Sequence, residues 1–236
     1  QEPDLAEVAP WGIKERLMQE KTAVGYYLSG HLFDEVQQEV RRFVRTPIAE
    51  LADNREPQVL AGIVGDFRVI SGQRGKLALF KLDDKSGTID ARAEESLINQ
   101  HRNLLKDDEL IIAMGKVQPD RFSGGLQVTI TQIMDLPAAR CRYGKFLRVA
   151  VNVQAPDVKR LLSEHPPKSE ITEHGELLQG MLVRLVLERR TGEHNGIKGV
   201  MAQLQLGEGA RFFPTDAALA SWMAQADEGR AMIVYE

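Results

Sequence analysis

The sequence has only one cysteine, Cys141, in 236 residues. A single cysteine excludes an internal disulfide and a cysteine-based zinc site. A lone thiol is typical of a reducing compartment, so we expect a cytoplasmic protein. No apolar run approaches the roughly 20 residues that a membrane-spanning helix needs. The first residues, Gln1–Asp4, lack the basic and apolar regions of a signal peptide. We therefore expect no membrane association.

Positive charge and aromatic residues are also scarce. The net charge is −4 and aromatic residues make up 6% of the chain. A protein with this charge does not attract phosphates as a whole. Any contact with nucleic acid must come from a local patch, and we expect such binding to be weak and sensitive to salt.

The periodicity of the apolar residues divides the chain into successive parts. Residues 1–56 show helical spacing and predict a lead-in segment of two helices and a turn. Residues 57–137 change to a period of two, which is typical of strands. Residues 138–144 form a short basic stretch that we interpret as a linker. Residues 145–236 have a mixed pattern and predict a second α/β domain. The fold class is therefore α+β with more than one domain.

Residues 57–137 predict a small barrel. The order is three strands, one helix and two strands, with a Ser-Gly turn at 86–87 and a Gly-rich loop at 122–125. Gly65 permits a bend or bulge in the long first strand. One face of that strand is predicted to hold Val59, Ala61, Ile63, Gly65, Phe67 and Val69. This connectivity is that of an OB fold, a partly open five-stranded barrel.

The C-terminal part predicts a different sheet. Alternating runs, two helical stripes and the hairpin signal Asn195-Gly196 give the order βαββαβ, which indicates a ferredoxin-like split βαβ domain. Residues 166–180 are expected to form a long loop. Phe212, Phe213 and Trp222 have no obvious partners on a strand face, and they are candidates for a protein-binding patch. Core packing is the alternative for Trp222.

A nucleic-acid interface is the favoured site in the barrel. OB folds bind on strands two and three and on the loops that join strands one to two and four to five. The basic and aromatic residues at these places are Arg74, Lys76, Lys81, Arg92, Arg121 and Phe122. Basic groups would follow the backbone, and Phe122 could stack on a base. The alternative is that these charges are simply solvated and that Phe122 packs inward.

The composition of the barrel indicates weak binding without sequence specificity. Residues 57–137 contain ten Lys and Arg against eleven Asp and Glu. The barrel holds three aromatic residues, of which Phe67 and Phe80 fit the core. Few rings are then left for stacking on bases.

No catalytic or metal-binding arrangement is predicted. Asp83-Asp84 lies in a turn, and Asp107-Asp108-Glu109 lies just before a strand. Neighbouring residues on a strand point to opposite faces, so turn formation explains these carboxylates better than ion binding. The five histidines lack the spacing of metal ligands, and no Gly-rich loop leads into a helix. We therefore expect neither a cofactor nor an active site in this chain.

Three segments together resemble the C-terminal region of the alpha subunit of bacterial DNA polymerase III. They are Tyr26–His31, Leu82–Gly87 and Phe122–Leu126. Their order and spacing match over nearly the whole chain. The Asp-Asp-Lys-Ser-Gly turn alone is less specific, because the anticodon-binding OB domains of some aminoacyl-tRNA synthetases carry a similar motif.

The resemblance implies a non-catalytic part of a DNA-directed DNA polymerase, a nucleotidyltransferase. The catalytic carboxylates of that family lie upstream, outside this chain. The OB domain is expected to bind the single-stranded template, and residues 145–236 are expected to dock the tau subunit of the clamp loader. Other replisome subunits are further expected partners. The segment Gln1–Leu5 matches the sliding-clamp motif of the family poorly, since it has Asp at an apolar position, which argues against clamp binding.

Two other functions remain open. One is a tRNA-binding appendage of a synthetase-like protein, which would need a catalytic domain that this chain lacks. The other is an interaction scaffold whose barrel binds only protein.

Overall fold

The structure is a computed structural model in which the chain forms two compact units, Gln1–Ile133 and Met134–Glu236. The described residues are 11–72, 75–120, 124–151, 156–172, 175–189 and 200–235.

The first unit opens with helices that carry a small apolar core. Helix α1 spans Ile13–Val24 and ends at Gly25, whose positive φ of 90° suits glycine at a helix C-terminus. Helix α2 spans Asp34–Val40, and a 3₁₀ turn follows at Ile48–Glu50. The buried side chains of this segment include Leu17, Phe33, Val40, Val44 and Ile48.

The OB-fold barrel follows, and its closed five-stranded form confirms the prediction for this region. Its elements are β1 (Gln58–Gly72), β2 (Gly75–Asp83), β3 (Thr88–Glu94), α3 (Glu95–Gln100), β4 (Leu110–Pro119) and β5 (Leu126–Met134). The strand order around the barrel is β1-β2-β3-β5-β4. Strand β1 pairs antiparallel with both β2 and β4, and β3 pairs parallel with β5. Phe80 of β2, which was expected to fit the core, is buried there together with Ala91 of β3.

The prediction that the odd-numbered residues of β1 from Val59 to Val69 share one face is wrong. Leu60 and Val64 belong to the barrel core, so the odd-numbered residues before Gly65 lie on the other face of the strand. A register shift between Gly65 and Arg68 inserts one extra residue, and Phe67 then packs against the core. A bulge reverses the alternation of side chains, and the sequence pattern assumed one phase throughout.

The second unit begins with helix α4, Leu136–Tyr143, and residues 138–144, which we expected to form a linker, provide most of it. The carboxylate of Asp135 caps this helix by accepting a hydrogen bond from the Ala138 amide at 2.8 Å. Arg140 is buried and donates to the Pro214 carbonyl at 2.9 Å and to Asp216 at 2.7 Å. These contacts make the helix part of the folded unit.

The remaining elements form a sheet with two helices. They are β6 (Gly144–Val151), α5 (Val158–Glu164), β7 (Lys168–Thr172), β8 (Gly175–Gln179), β9 (Met181–Arg189), β10 (Val200–Gln205), β11 (Arg211–Phe212), α6 (Asp216–Gln225) and β12 (Ala231–Tyr235). The sheet order is β10-β9-β6-β12, and β11 pairs with β9.

The ferredoxin-like arrangement is not confirmed. In a split βαβ unit another strand separates the two parallel strands. Here β6 and β9 pair directly and in parallel, and β10 adds on the far side of β9. The stretch expected to be a loop contains the β7–β8 hairpin instead, with Lys168 opposite Gln179. The hairpin signal Asn195-Gly196 lies outside the described residues.

The three apolar residues that were candidates for a protein-binding patch lie in the interior of this unit. Phe212 and Trp222 are fully buried, with ring centroids 5.7 Å apart, and Phe213 is 4% exposed. They form no surface patch, and the core alternative for Trp222 is the one that the structure supports.

Candidate nucleic-acid interface

A groove runs along the outer face of strands β1, β2, β3 and β5. The side chains between the core residues of β2 point outward, so Leu77, Leu79 and Lys81 share this face. The strand register places Arg68, Leu79, Arg92 and Thr129 in one row across the four strands. The groove has a volume of about 500 Å³.

The structure places two of the six predicted binding residues on this face and a third next to it. Lys81 and Arg92 line the groove. Lys76 lines an adjoining depression of about 750 Å³, to which Arg92 also contributes. Arg74, Arg121 and Phe122 lie outside the described residues.

Lys81 forms an ion pair with Asp66 on the groove surface. The Lys81 Nζ atom lies 2.8 Å from Asp66 Oδ2, and both side chains are exposed, by 51% and 71% respectively. The hydrogen bond to Asp66 raises the pKa of Lys81, and the same bond lowers the pKa of the Asp66 carboxyl. The lysine is therefore charged at neutral pH, with a carboxylate directly beside it.

Arg92 is held in place by the neighbouring strand. Its Nε atom donates a hydrogen bond to Thr129 Oγ1 at 2.7 Å across the parallel β3–β5 pair. This bond uses only one of the five N–H donors of the guanidinium. The remaining donors are on a side chain whose direction is already fixed, which reduces the entropy lost when it binds a phosphate.

Lys76 is close to an acidic partner. Its backbone amide donates to Glu95 Oε2 at 3.1 Å, and its Nζ atom lies 4.0 Å from Glu95 Oε1. Exposed pairs of this kind are weak, so this lysine can exchange Glu95 for a phosphate at little cost.

Sequence reasoning missed Arg68, which also lines the groove. Its side chain is exposed, and it forms no hydrogen bond or ion pair with another residue in the part of the chain that the structure describes. The signal was available, because Arg68 follows the inward-facing Phe67 and must point outward.

The apolar surface of the groove is aliphatic. Ile70 is 45% exposed and lies opposite Leu77 in the register, with Leu79 in the next row. Phe67 and Phe80 pack against each other in the barrel, with ring centroids 6.4 Å apart. Aliphatic side chains and arginine planes, rather than stacking rings, would contact bases at the described part of the groove.

The Asp-Asp-Lys-Ser-Gly turn connects the helical segment to the barrel. The Asp84 carboxylate is fully buried and accepts hydrogen bonds from Arg41, from the Ile48 amide at 2.9 Å, and from the amide and hydroxyl of Ser86 at 3.0 and 2.5 Å. Burial alone would raise the pKa of this carboxyl, but the bonds from Ser86, Arg41 and Ile48 outweigh burial and leave the pKa below its ordinary value.

Two further side-chain contacts join the same turn to the helical segment. His31 Nε2 lies 3.2 Å from Asp83 Oδ1, and Lys85 Nζ lies 2.6 Å from Asp34 Oδ1. The segments that carry the family resemblance at Tyr26–His31 and Leu82–Gly87 are therefore in contact in the folded unit. Their described contacts are structural, and no residue of these two segments lines the groove.

The described residues contain no group of three or more His, Cys, Asp or Glu that could hold a metal ion. Among the same residues, no helix is long and apolar enough to cross a membrane. Burial raises the pKa of the Cys141 thiol to about 12, which leaves it protonated and unreactive at neutral pH.

Comparison with known proteins supports the OB assignment. Residues 59–136 match a family described as an OB-fold nucleic acid binding domain. The chain is also similar to DNA polymerase III subunit alpha of Pseudomonas aeruginosa, with 39% identity over 141 residues. It is 34% identical over 165 residues to the same subunit of Neisseria meningitidis serogroup B.

The resemblance to DNA polymerase III subunit alpha is confirmed. The match covers 59% of this chain and 12% of the Pseudomonas aeruginosa subunit alpha. For the Neisseria meningitidis subunit alpha the shares are 68% and 14%. The chain thus corresponds to a small part of the length of these polymerase subunits.

One solved structure with a similar fold is the second OB-fold domain of replication protein A from Methanococcus maripaludis. It is 20% identical, covers 39% of this chain and 93% of its own, and has a TM-score of 0.32. A likeness of this size carries no argument about function.

Proposed function

We propose that this chain is a non-catalytic part of a replicative DNA polymerase III alpha subunit whose barrel binds single-stranded DNA weakly and without sequence specificity. The observation that carries the proposal is the outer-face groove, where Arg68, Lys81 and Arg92 lie on three adjacent strands. The match to a family of nucleic-acid-binding OB folds and the similarity to subunit alpha support it.

The chemistry of the groove accounts for weak binding. Three cations in the lining are balanced by three carboxylates, those of Asp66, Asp90 and Asp120. Binding through a few phosphate contacts is weak and still sensitive to salt, because each neutralised phosphate releases counterions. None of these contacts would distinguish one base from another, because phosphate contacts carry no sequence information.

Fluorescence anisotropy with a labelled oligothymidylate, at about 50 and about 200 mM salt, tests the DNA role. We expect Arg92→Ala and Arg68→Ala each to weaken binding at low salt by about three- to tenfold, because each removes one phosphate contact. Arg45→Ala removes the same charge from an exposed position outside the groove lining and is the matched control.

The DNA role fails if the wild-type chain does not bind at low salt, or if both groove variants bind as tightly as Arg45→Ala. Competition with an RNA oligonucleotide of the same length separates this role from tRNA binding. A tRNA-binding appendage would prefer the RNA competitor. An interaction scaffold would bind neither nucleic acid.

For the second unit we propose docking of the tau subunit of the clamp loader, which follows from the family resemblance. The unit has its own core and exposes Leu177 and Leu178 on β8 and Leu204 on β10, which offer apolar contact area. A pull-down with purified tau tests this proposal. We expect the substitution Leu204→Lys, at an exposed site, to reduce capture, and undiminished capture by a chain that lacks residues 134–236 would contradict tau docking.

We also propose that the polymerase active site lies outside this chain and that the protein acts in the cytoplasm. Other replisome subunits are further proposed partners. Primer extension by the purified chain tests the first point, and nucleotide incorporation above the level of a buffer control would contradict it.

A further inference from the structure

We propose that Asp66 is an attenuator of the groove: it lowers the affinity of the groove for single-stranded nucleic acid, because its carboxylate forms an ion pair with the Lys81 ammonium group. This inference rests on the proposed DNA role and concerns how strongly that site binds. Phosphates would compete with the Asp66 carboxylate for the same ammonium group.

The bulge in β1 places Asp66 for this contact. The register pairs Gly65 with Lys81 and Arg68 with Leu79, so Asp66 and Phe67 together oppose only Phe80. Asp66 adopts a positive φ of 54°, a conformation in which aspartate is more common than most residues. Gly65 lies opposite Lys81 and so belongs to the outer face, and in an unbulged strand the next residue, Asp66, would point into the barrel. The extra residue lets Asp66 lie on the outer face beside Lys81 and returns Phe67 to the inner face.

The carboxylates around Lys81 determine the net charge of the groove, and Asp66 is one of them. Asp90 is the register partner of Lys81 on β3, so the lysine lies between two carboxylates. The groove lining contains three cations and three carboxylates, which gives it no net charge. Removal of one carboxylate would leave the groove with a net positive charge and would free the Lys81 ammonium.

The ion pair between Lys81 and Asp66 weakens the attraction of the groove for phosphates. Each phosphate that reaches Lys81 must displace a partner 2.8 Å away, so part of the Coulomb energy of binding is lost. Because both groups are exposed, the displacement costs little and is reversible. The pair thus limits the affinity of the groove without closing it.

The test is the substitution Asp66→Asn in the full chain. Asparagine has the same shape and tolerates a positive φ, so the bulge should be retained. We expect Asp66→Asn to tighten binding of a labelled oligothymidylate by about three- to tenfold at low salt, and the salt slope to grow by about one.

Two further variants test whether release of Lys81 causes the tighter binding of Asp66→Asn. Asp53→Asn removes an equal charge from an exposed site outside the groove lining and should have a much smaller effect. In the double variant Asp66→Asn/Lys81→Gln the increase in affinity for the oligothymidylate should disappear, because the phosphate binds to the lysine that Asp66→Asn releases.

The inference is overturned if Asp66→Asn binds no more tightly than Asp53→Asn, or if the gain persists without Lys81. Binding by the wild-type chain with no gain in Asp66→Asn refutes the attenuator alone. Absence of binding by both proteins at low salt refutes the DNA role and the attenuator together.

Discussion

The Asp84 carboxylate joins the helical segment to the barrel of the first unit. It is fully buried, and its oxygens accept bonds from Arg41, Ile48 and Ser86. The sequence indicated a turn at this residue, which is a local property. Its contact with Arg41 spans 43 residues of sequence, and no local pattern predicts such a contact.

The substitution Asp84→Asn should destabilise the first unit by about 2–4 kcal/mol, because the neutral amide no longer balances the Arg41 charge and has one acceptor oxygen in place of two. Urea denaturation measures the loss. The neighbouring Asp83→Asn, at a partly exposed side chain, should cost less than about 1 kcal/mol. Equal costs for the two variants would contradict the structural role of Asp84.

The lowered pKa of Asp84 should also make the free energy of unfolding depend on pH. The pKa of Asp84 is lower in the folded chain than in the unfolded chain, so its contribution is present above the unfolded value of about 3.9 and is lost as the pH falls through the folded value. Asp84→Asn should therefore lose less stability than the wild type between neutral and acidic pH. Parallel stability curves for the two proteins would contradict this expectation.

At the scale of elements, the barrel was more predictable than the second sheet. The alternation of apolar and polar residues in β2 and β3 separated the buried Phe80 and Ala91 from the outward Lys81 and Arg92, because successive side chains of a strand point to opposite faces. Gly65 indicated a possible bulge in β1, and the register shift begins at this residue. The reversed alternation after the bulge and the strand order β10-β9-β6-β12 were not predictable, since both depend on pairing between distant strands.

Two glycines of β1 provide a matched test of the packing around the bulge. A Cβ atom on Gly62 would lie 2.9 Å from the backbone nitrogen of Asp83, whereas a Cβ atom on Gly65 would meet nothing within 4 Å. We expect Gly62→Ala to destabilise the first unit by about 1–3 kcal/mol and Gly65→Ala to be nearly neutral. Thermal unfolding measures both. A reversed order would contradict the described pairing of β1 with β2.

At the scale of the whole molecule, the observations that support DNA binding lie in the first unit. The first unit carries the match to a nucleic-acid-binding OB family and the groove with its three cations. The second unit has an independent core built on Phe212 and Trp222. The family resemblance was readable from the sequence because short motifs keep their spacing, whereas the groove surface required the register of four strands.

Hydrogen exchange of the full chain, with and without an oligothymidylate at low salt, tests the central claim most directly. If the groove binds single-stranded DNA, the oligonucleotide should slow exchange in peptides from 66–72, 75–83 and 88–94, and it should leave β6, β9 and β12 unchanged. Exchange that is unchanged throughout, or slowed only in residues 134–236, would contradict the account.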